Sequence, residues 1–180
     1  MNTTESLQRL EETTNQYLEE LNGLTFEQLR RQPSENEWSL GQMYLHLIHT
    51  AQRMQIGSIE KCRSQAEESA VAEGEKTEIG AKIFSHGSFP AERIQVPASP
   101  YYTPEQPLSK EQIADGLHAV LQKMKEIEPT LDAIPSAYTA LHPRFGGLHA
   151  KEWFTLVEMH YRHHLHQLER LKQFLGRAEG

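Results

Sequence analysis

The sequence has a single cysteine, Cys62, so no internal disulfide can form. Cys62 falls on the apolar side of the second helical pattern, where inert packing is expected rather than reactivity. No run approaches the roughly 20 consecutive apolar residues that a membrane span needs. The first residues, MNTTESLQRLEETTNQYLEEL, lack a basic region followed by an apolar one. The expectation is a soluble, cytoplasmic protein with no membrane partner. Lys and Arg, 18 in all against 25 Asp and Glu, nowhere form the dense cluster that a phosphate backbone would require, so no nucleic-acid partner is expected. Internal repeats and low-complexity tracts are also missing.

What remains is a chain of 180 residues, best read as one domain over residues 1–180, whose apolar fraction of 37% must be concentrated on particular faces. From Glu5 to about Leu21, the residues Leu7, Leu10, Tyr17, Leu18 and Leu21 recur at helical spacing, with Thr3 or Thr4 as N-cap and Gly23 as stop. Thr25 to Gln32 adds a short turn before Pro33 breaks the pattern. Ser39 and Gln42 form a capping box, and Leu40, Met43, Tyr44, Leu47, Ile48, Ala51 and Met54 make a stripe running toward Cys62, the second helix. Residues from about Ala66 to Pro107 form a long crossing connection with hints of apolar structure at Ala81 to Phe84 and Arg93 to Val96. Phe84, Phe89, Tyr101 and Tyr102 suggest that parts of it pack. Ser109 and Gln112 repeat the capping spacing and open a third helix through Ile113, Leu117, Val120, Leu121, Met124 and Ile127, with His118 toward solvent or on the flank. Pro135, Pro143, Gly146 and Gly147 mark the connection to the last helix, and no convincing alternating strand is visible. Four amphipathic segments argue for an all-α four-helix bundle with a long crossover between helices two and three.

The last helix carries the informative pattern. In EWFTLVEMHYRHHLHQLERLKQFL, residues 152–175, the side chains of Trp153, Leu156, Val157, Leu168, Leu171, Phe174 and Leu175 share one face at about 100° per residue. His160, His164 and Gln167 project from the middle of that face, whereas Arg162 and His166 point away and His163 lies at its edge. Burying an imidazole without partners costs on the order of 1–3 kcal/mol, and a metal ion would satisfy several together. His160 and His164 are one turn apart, the spacing that lets two imidazoles share one ion. On helix two, His49 points away from the stripe and His46 lies on its flank beside Met43 and Thr50. Gln167 reads equally as a hydrogen-bond partner behind a ligand or as core filler. His142, in HPRFGGL, reads either as a further ligand or substrate contact or as turn chemistry seating Phe145, and is left out of the metal set. His86, His149, His163 and His166 are expected to be solvated or interfacial, and Trp38 and Trp153 to be core.

The strings WSLGQMYLHL, with Trp38 eight residues before His46, HPRFGGLHAKEW and HYRHHLHQL together resemble the DinB-like superfamily, including its YfiT-like metal-dependent hydrolases and its bacillithiol S-transferases. The resemblance spans nearly the whole chain. It implies a four-helix bundle, often a homodimer, with one divalent metal held by His46, His160 and His164. Zinc or nickel is the expected ion, with iron or manganese as alternatives. Three neutral imidazoles leave a tetrahedral zinc one open position, the pattern of a catalytic site. The resemblance therefore implies transfer of a low-molecular-weight thiol to a small electrophile, with metal-dependent hydrolysis by an activated water as the rival reading. A non-catalytic, metal-stabilised stress-response bundle is the third.

Overall fold

In the computed structural model, residues 2–68, 74–90 and 103–178 are described. The described chain is mostly helical, with one two-stranded hairpin. Helix α1 spans Thr3–Gly23, starting two residues earlier than its apolar pattern because Asn2, rather than Thr3 or Thr4, is the N-cap. The Asn2 side chain accepts from the Glu5 backbone N–H, satisfying one of the amides that a helix start leaves without an intrahelical partner. A short helix α2, Phe26–Arg30, fills the Thr25 to Gln32 turn and opens with a reciprocal capping box between Thr25 and Gln28.

The expected second helix starts where its capping box places it. Ser39 accepts from the Gln42 N–H while the Gln42 side chain accepts from the Ser39 N–H, and α3 runs over Leu40–His49. The helical path then widens into a π-helical turn, Thr50–Gln55, and continues as α4, Ile56–Glu68. A π turn inserts extra chain and rotates everything after it. Met54 is consequently only half-buried, Gln55 takes the inward position, and Ile59 and Cys62 resume the core at 0% exposure. The Cys62 thiol lies against the Leu148 carbonyl oxygen at 3.6 Å, in keeping with a packing role.

The connection after α4 contains helix α5, Glu78–His86, where Ala81 to Phe84 had hinted at structure. Gly87 ends it in the left-handed region at φ 65°. The Arg93 to Val96 stretch and the pair Tyr101 and Tyr102 lie outside the described residues. Helix α6, Lys110–Ile127, starts at Ser109, whose side chain accepts from the Gln112 N–H. Gln112 completes half a box only, since its own side chain accepts from Leu108. Helix α6 ends at Ile127, ahead of Pro129, and a 3-10 turn, Glu128–Ala133, follows it.

The absence of strands is corrected at the connection before the last helix. Strand β1, Thr139–His142, pairs antiparallel with β2, Gly146–His149, in the register Thr139 to His149 and His142 to Gly146. Gly146 closes the three-residue loop at φ 74°, a conformation open to glycine at little cost. Residues 74–77 run alongside β2: the Gly147 N–H donates to the Glu75 carbonyl and the Thr77 N–H to the Phe145 carbonyl.

Helix α7, Ala150–Ala178, is the longest described element. It packs on α1, α3, α4 and the hairpin, while α6 packs on α1 and α3. Trp153, Leu156, Val157, Leu168, Leu171 and Leu175 are buried as their phase requires, and Phe174 is half-buried. The helix also buries Phe154, Met159 and Tyr161, so its first half is enclosed on every side. Two carboxylates are enclosed with it and both are paired: Glu152 with Lys76, and Glu158 with Arg162. No described helix is long and apolar enough to cross a membrane.

Candidate metal centre

Three histidines from two elements meet where α3 crosses α7. His46 Nε2 lies 3.1 Å from His160 Nε2, and His164 Nε2 lies 3.1 Å from the same atom. Their rings pack edge-on or tilted, with centroids 4.7 to 5.0 Å apart, so the three nitrogens converge rather than stack. His160 and His164 meet because one helical turn separates them. His46 joins because the capping box at Ser39 sets the phase of α3 before the π turn disturbs it.

Each ring is oriented from behind to a different degree. His164 Nδ1–H donates to Gln167 Oε1 at 2.8 Å, so Gln167 backs a ring of the cluster rather than filling core. An amide oxygen can only accept, so the His164 proton sits on Nδ1 and the Nε2 lone pair faces the other two rings. Thr50 Oγ1 lies 3.5 Å from His46 Nδ1, at the limit of a hydrogen bond. His160 Nδ1 is buried and has no partner among the described residues. Trp38, expected as core, is half-buried with its ring 4.9 Å from that of His46, a position the sequence reading missed. On the other flank Phe89 packs on His163, which packs on His164.

Burial keeps the cluster neutral. It pushes His46 down to about 4 and His164 down to about 3, with the neighbouring histidines adding in the same direction, and it holds His160 well below the usual imidazole range. Hydrogen bonds alone cannot satisfy three converging lone pairs. If His160 carries its proton on Nε2, it can donate to one neighbour well, and the other Nε2 still faces it unpaired. A divalent ion accepts all three. The 3.1 Å separations are close to the roughly 3.3 Å edge of a tetrahedron with metal–nitrogen bonds of about 2.0–2.1 Å. Among the described residues this is the one cluster of three or more His, Cys, Asp or Glu side chains with such spacing, and no carboxylate belongs to it.

The remaining histidines stay out. His49 is half-buried and does not belong to the cluster, although it is near enough to help lower the pKa of His46, and His118, His86 and His166 are exposed. His149 is half-buried, its Nε2 3.6 Å from Glu152. His142 does the work of a turn: its Nδ1 accepts from the Arg144 and Phe145 N–H groups at 3.1 and 3.2 Å, and its ring stacks on Phe145 at 4.1 Å. It is nevertheless near enough to help lower the pKa of His160.

A mostly helical chain with a half-buried, neutral three-imidazole cluster between two helices defines a class of candidate metal-binding proteins of mostly-α fold. The chain belongs to the DinB superfamily, whose family model matches residues 9–168. It is also similar to the uncharacterized protein YuaE of Bacillus subtilis (strain 168), at 25% identity over 163 residues, covering 88% of this chain and 92% of that one. No solved structure matches significantly.

Proposed function

We propose that His46, His160 and His164 hold one divalent metal ion, zinc or nickel before iron or manganese, and that the centre transfers a low-molecular-weight thiol to a small electrophile. The observation that carries this reading is the convergence of three neutral imidazoles with no carboxylate in the cluster. Such a donor set leaves the ion's double positive charge uncompensated, which favours an anionic fourth partner. When bound, the ion supplies Lewis acidity, lowering the pKa of a thiol or a water so that the anion forms near neutral pH.

The chain's own residues supply orientation and exclusion. Gln167 fixes the His164 tautomer, and the Trp38 ring screens His46. Phe89 and His163 extend an aromatic wall beside His164, suited to a partly apolar electrophile. Holding thiolate and electrophile in one pocket lowers the entropic part of the barrier. Hydrolysis of esters or amides is the second reading. It gains least from a site in which no carboxylate stands ready as a general base.

The protein is read as acting on small molecules, in the cytoplasm, as a monomer or homodimer. The test is a conjugation screen of metal-loaded protein with bacillithiol, coenzyme A, glutathione and cysteine against a panel of small electrophiles. Metal-dependent conjugation that disappears in His164→Ala is the expected result. Cleavage of ester or amide substrates with no conjugation would replace thiol transfer by hydrolysis.

A further inference from the structure

Helix α1 contributes no histidine to the cluster, yet it joins the two helices that do. The Tyr44 hydroxyl, on α3 two residues before His46, donates to the Tyr17 carbonyl at 2.9 Å. The Tyr17 hydroxyl donates in turn to the carbonyl of Tyr161, the residue after His160 on α7, at 2.8 Å. All three side chains are fully buried, and the Tyr17 ring meets the other two nearly edge-on, with centroids 5.5 and 6.1 Å away. The path from α3 to α7 therefore passes through one residue of α1, by two hydrogen bonds shielded from water.

The α3 backbone gives a reason why such a tie is needed. Only four residues past His46 the helix becomes π-helical, and the Thr50 N–H is shared between the carbonyls of His46 and Leu47. Regular α-helical geometry therefore ends within one turn past His46. The height of His46 relative to His160 thus depends on tertiary contacts as well, and the tyrosine pair of bonds is a buried polar contact that reaches residues beside both.

We propose that Tyr17 is a positioning residue for the three-histidine centre, holding α3 and α7 at the spacing that brings His46 Nε2 to His160 Nε2. This rests on the metal-binding reading above but not on the thiol chemistry. Tyr161 supplies an internal control. Its own hydroxyl is buried without a partner among the described residues, so its removal leaves the tie intact.

The test uses the full chain stripped of metal and titrated with Co(II), which reports both affinity, by competition with a chelator, and ligand geometry, through its visible d–d absorption. Tyr17→Phe is expected to weaken Co(II) binding about five- to tenfold, the scale of one buried hydrogen bond, and to alter the position or intensity of the d–d band. Tyr161→Phe should bind within about twofold of wild type with the same spectrum, since no tie is lost. Wild-type affinity and spectrum in folded Tyr17→Phe would overturn the proposal, even if its metal-free melting temperature fell. If Tyr17→Phe does not fold, Tyr44→Phe cuts the same path at its α3 end. Weakened binding there supports the tie, and unchanged binding overturns it. Failure of the wild type itself to bind Co(II) would overturn the metal reading and the tie together, whereas wild-type binding with unchanged variants removes the tie alone.

Discussion

Replacing Arg162 by Met should destabilise the fold by about 3 kcal/mol, because it strands a buried carboxylate. Glu158 is 2% exposed, and its two oxygens accept from Arg162 Nε at 2.6 Å and Nη2 at 3.2 Å. The same Nη2 donates to the Gly87 carbonyl at 2.7 Å, tying the end of α5 to α7 beside Phe89 and His163. Met keeps much of the aliphatic stem, so packing changes little and the loss measures the stranded charge together with the smaller contribution of the Gly87 bond. The Arg162 side chain is 38% exposed, which places the figure at the lower end of the 3–5 kcal/mol typical of a broken buried pair. Urea unfolding of Arg162→Met, Glu158→Gln and the double variant closes the cycle. The double variant should recover most of the loss, because no buried charge is left unpaired. A single variant within about 0.5 kcal/mol of wild type would refute the reasoning, as would a double variant no more stable than Arg162→Met.

The metal-stripped protein should lose stability as pH falls from 7 to 5. The unfolded imidazoles take up protons near 6.5, while His46 and His164 resist until about 4 and about 3, so the unfolded state binds more protons throughout that window. The difference is roughly 2 kcal/mol for each of the two, and urea unfolding of His164→Gln at both pH values should show a correspondingly shallower dependence. His49→Gln and His166→Gln should leave metal content unchanged by elemental analysis, since neither joins the cluster. Gln167→Leu should weaken metal affinity by about tenfold in a competition titration, by releasing the His164 ring.

Much of the candidate site was legible because helix phase is a local property. The capping box at Ser39 and Gln42 sets α3, and counting about 100° per residue from it puts His46 on the flank of the apolar stripe and His49 away from it; the same count on α7 selects His160, His164 and Gln167. The π turn at Thr50–Gln55 was not legible, because nothing in TAQRMQ marks the extra residue. Met54 was therefore placed inward where Gln55 is. The β1–β2 hairpin escaped notice since its strands are four residues each and one reads GGLH. It forms in a tertiary setting that includes the Trp153 indole N–H donating to the Ala140 carbonyl. Trp38 was read as core by residue type, and only the fold shows it against His46. The ties from Tyr17 join residues 27 and 144 positions apart, which no periodicity reports.

The most direct test of the metal centre is elemental analysis of the protein purified without an affinity tag, beside His160→Ala and His164→Ala prepared identically. One divalent ion per chain in the wild type and none in either variant is the expected result. Full stoichiometry in both variants, or folded wild type that takes up no divalent ion when offered zinc or nickel, would contradict it.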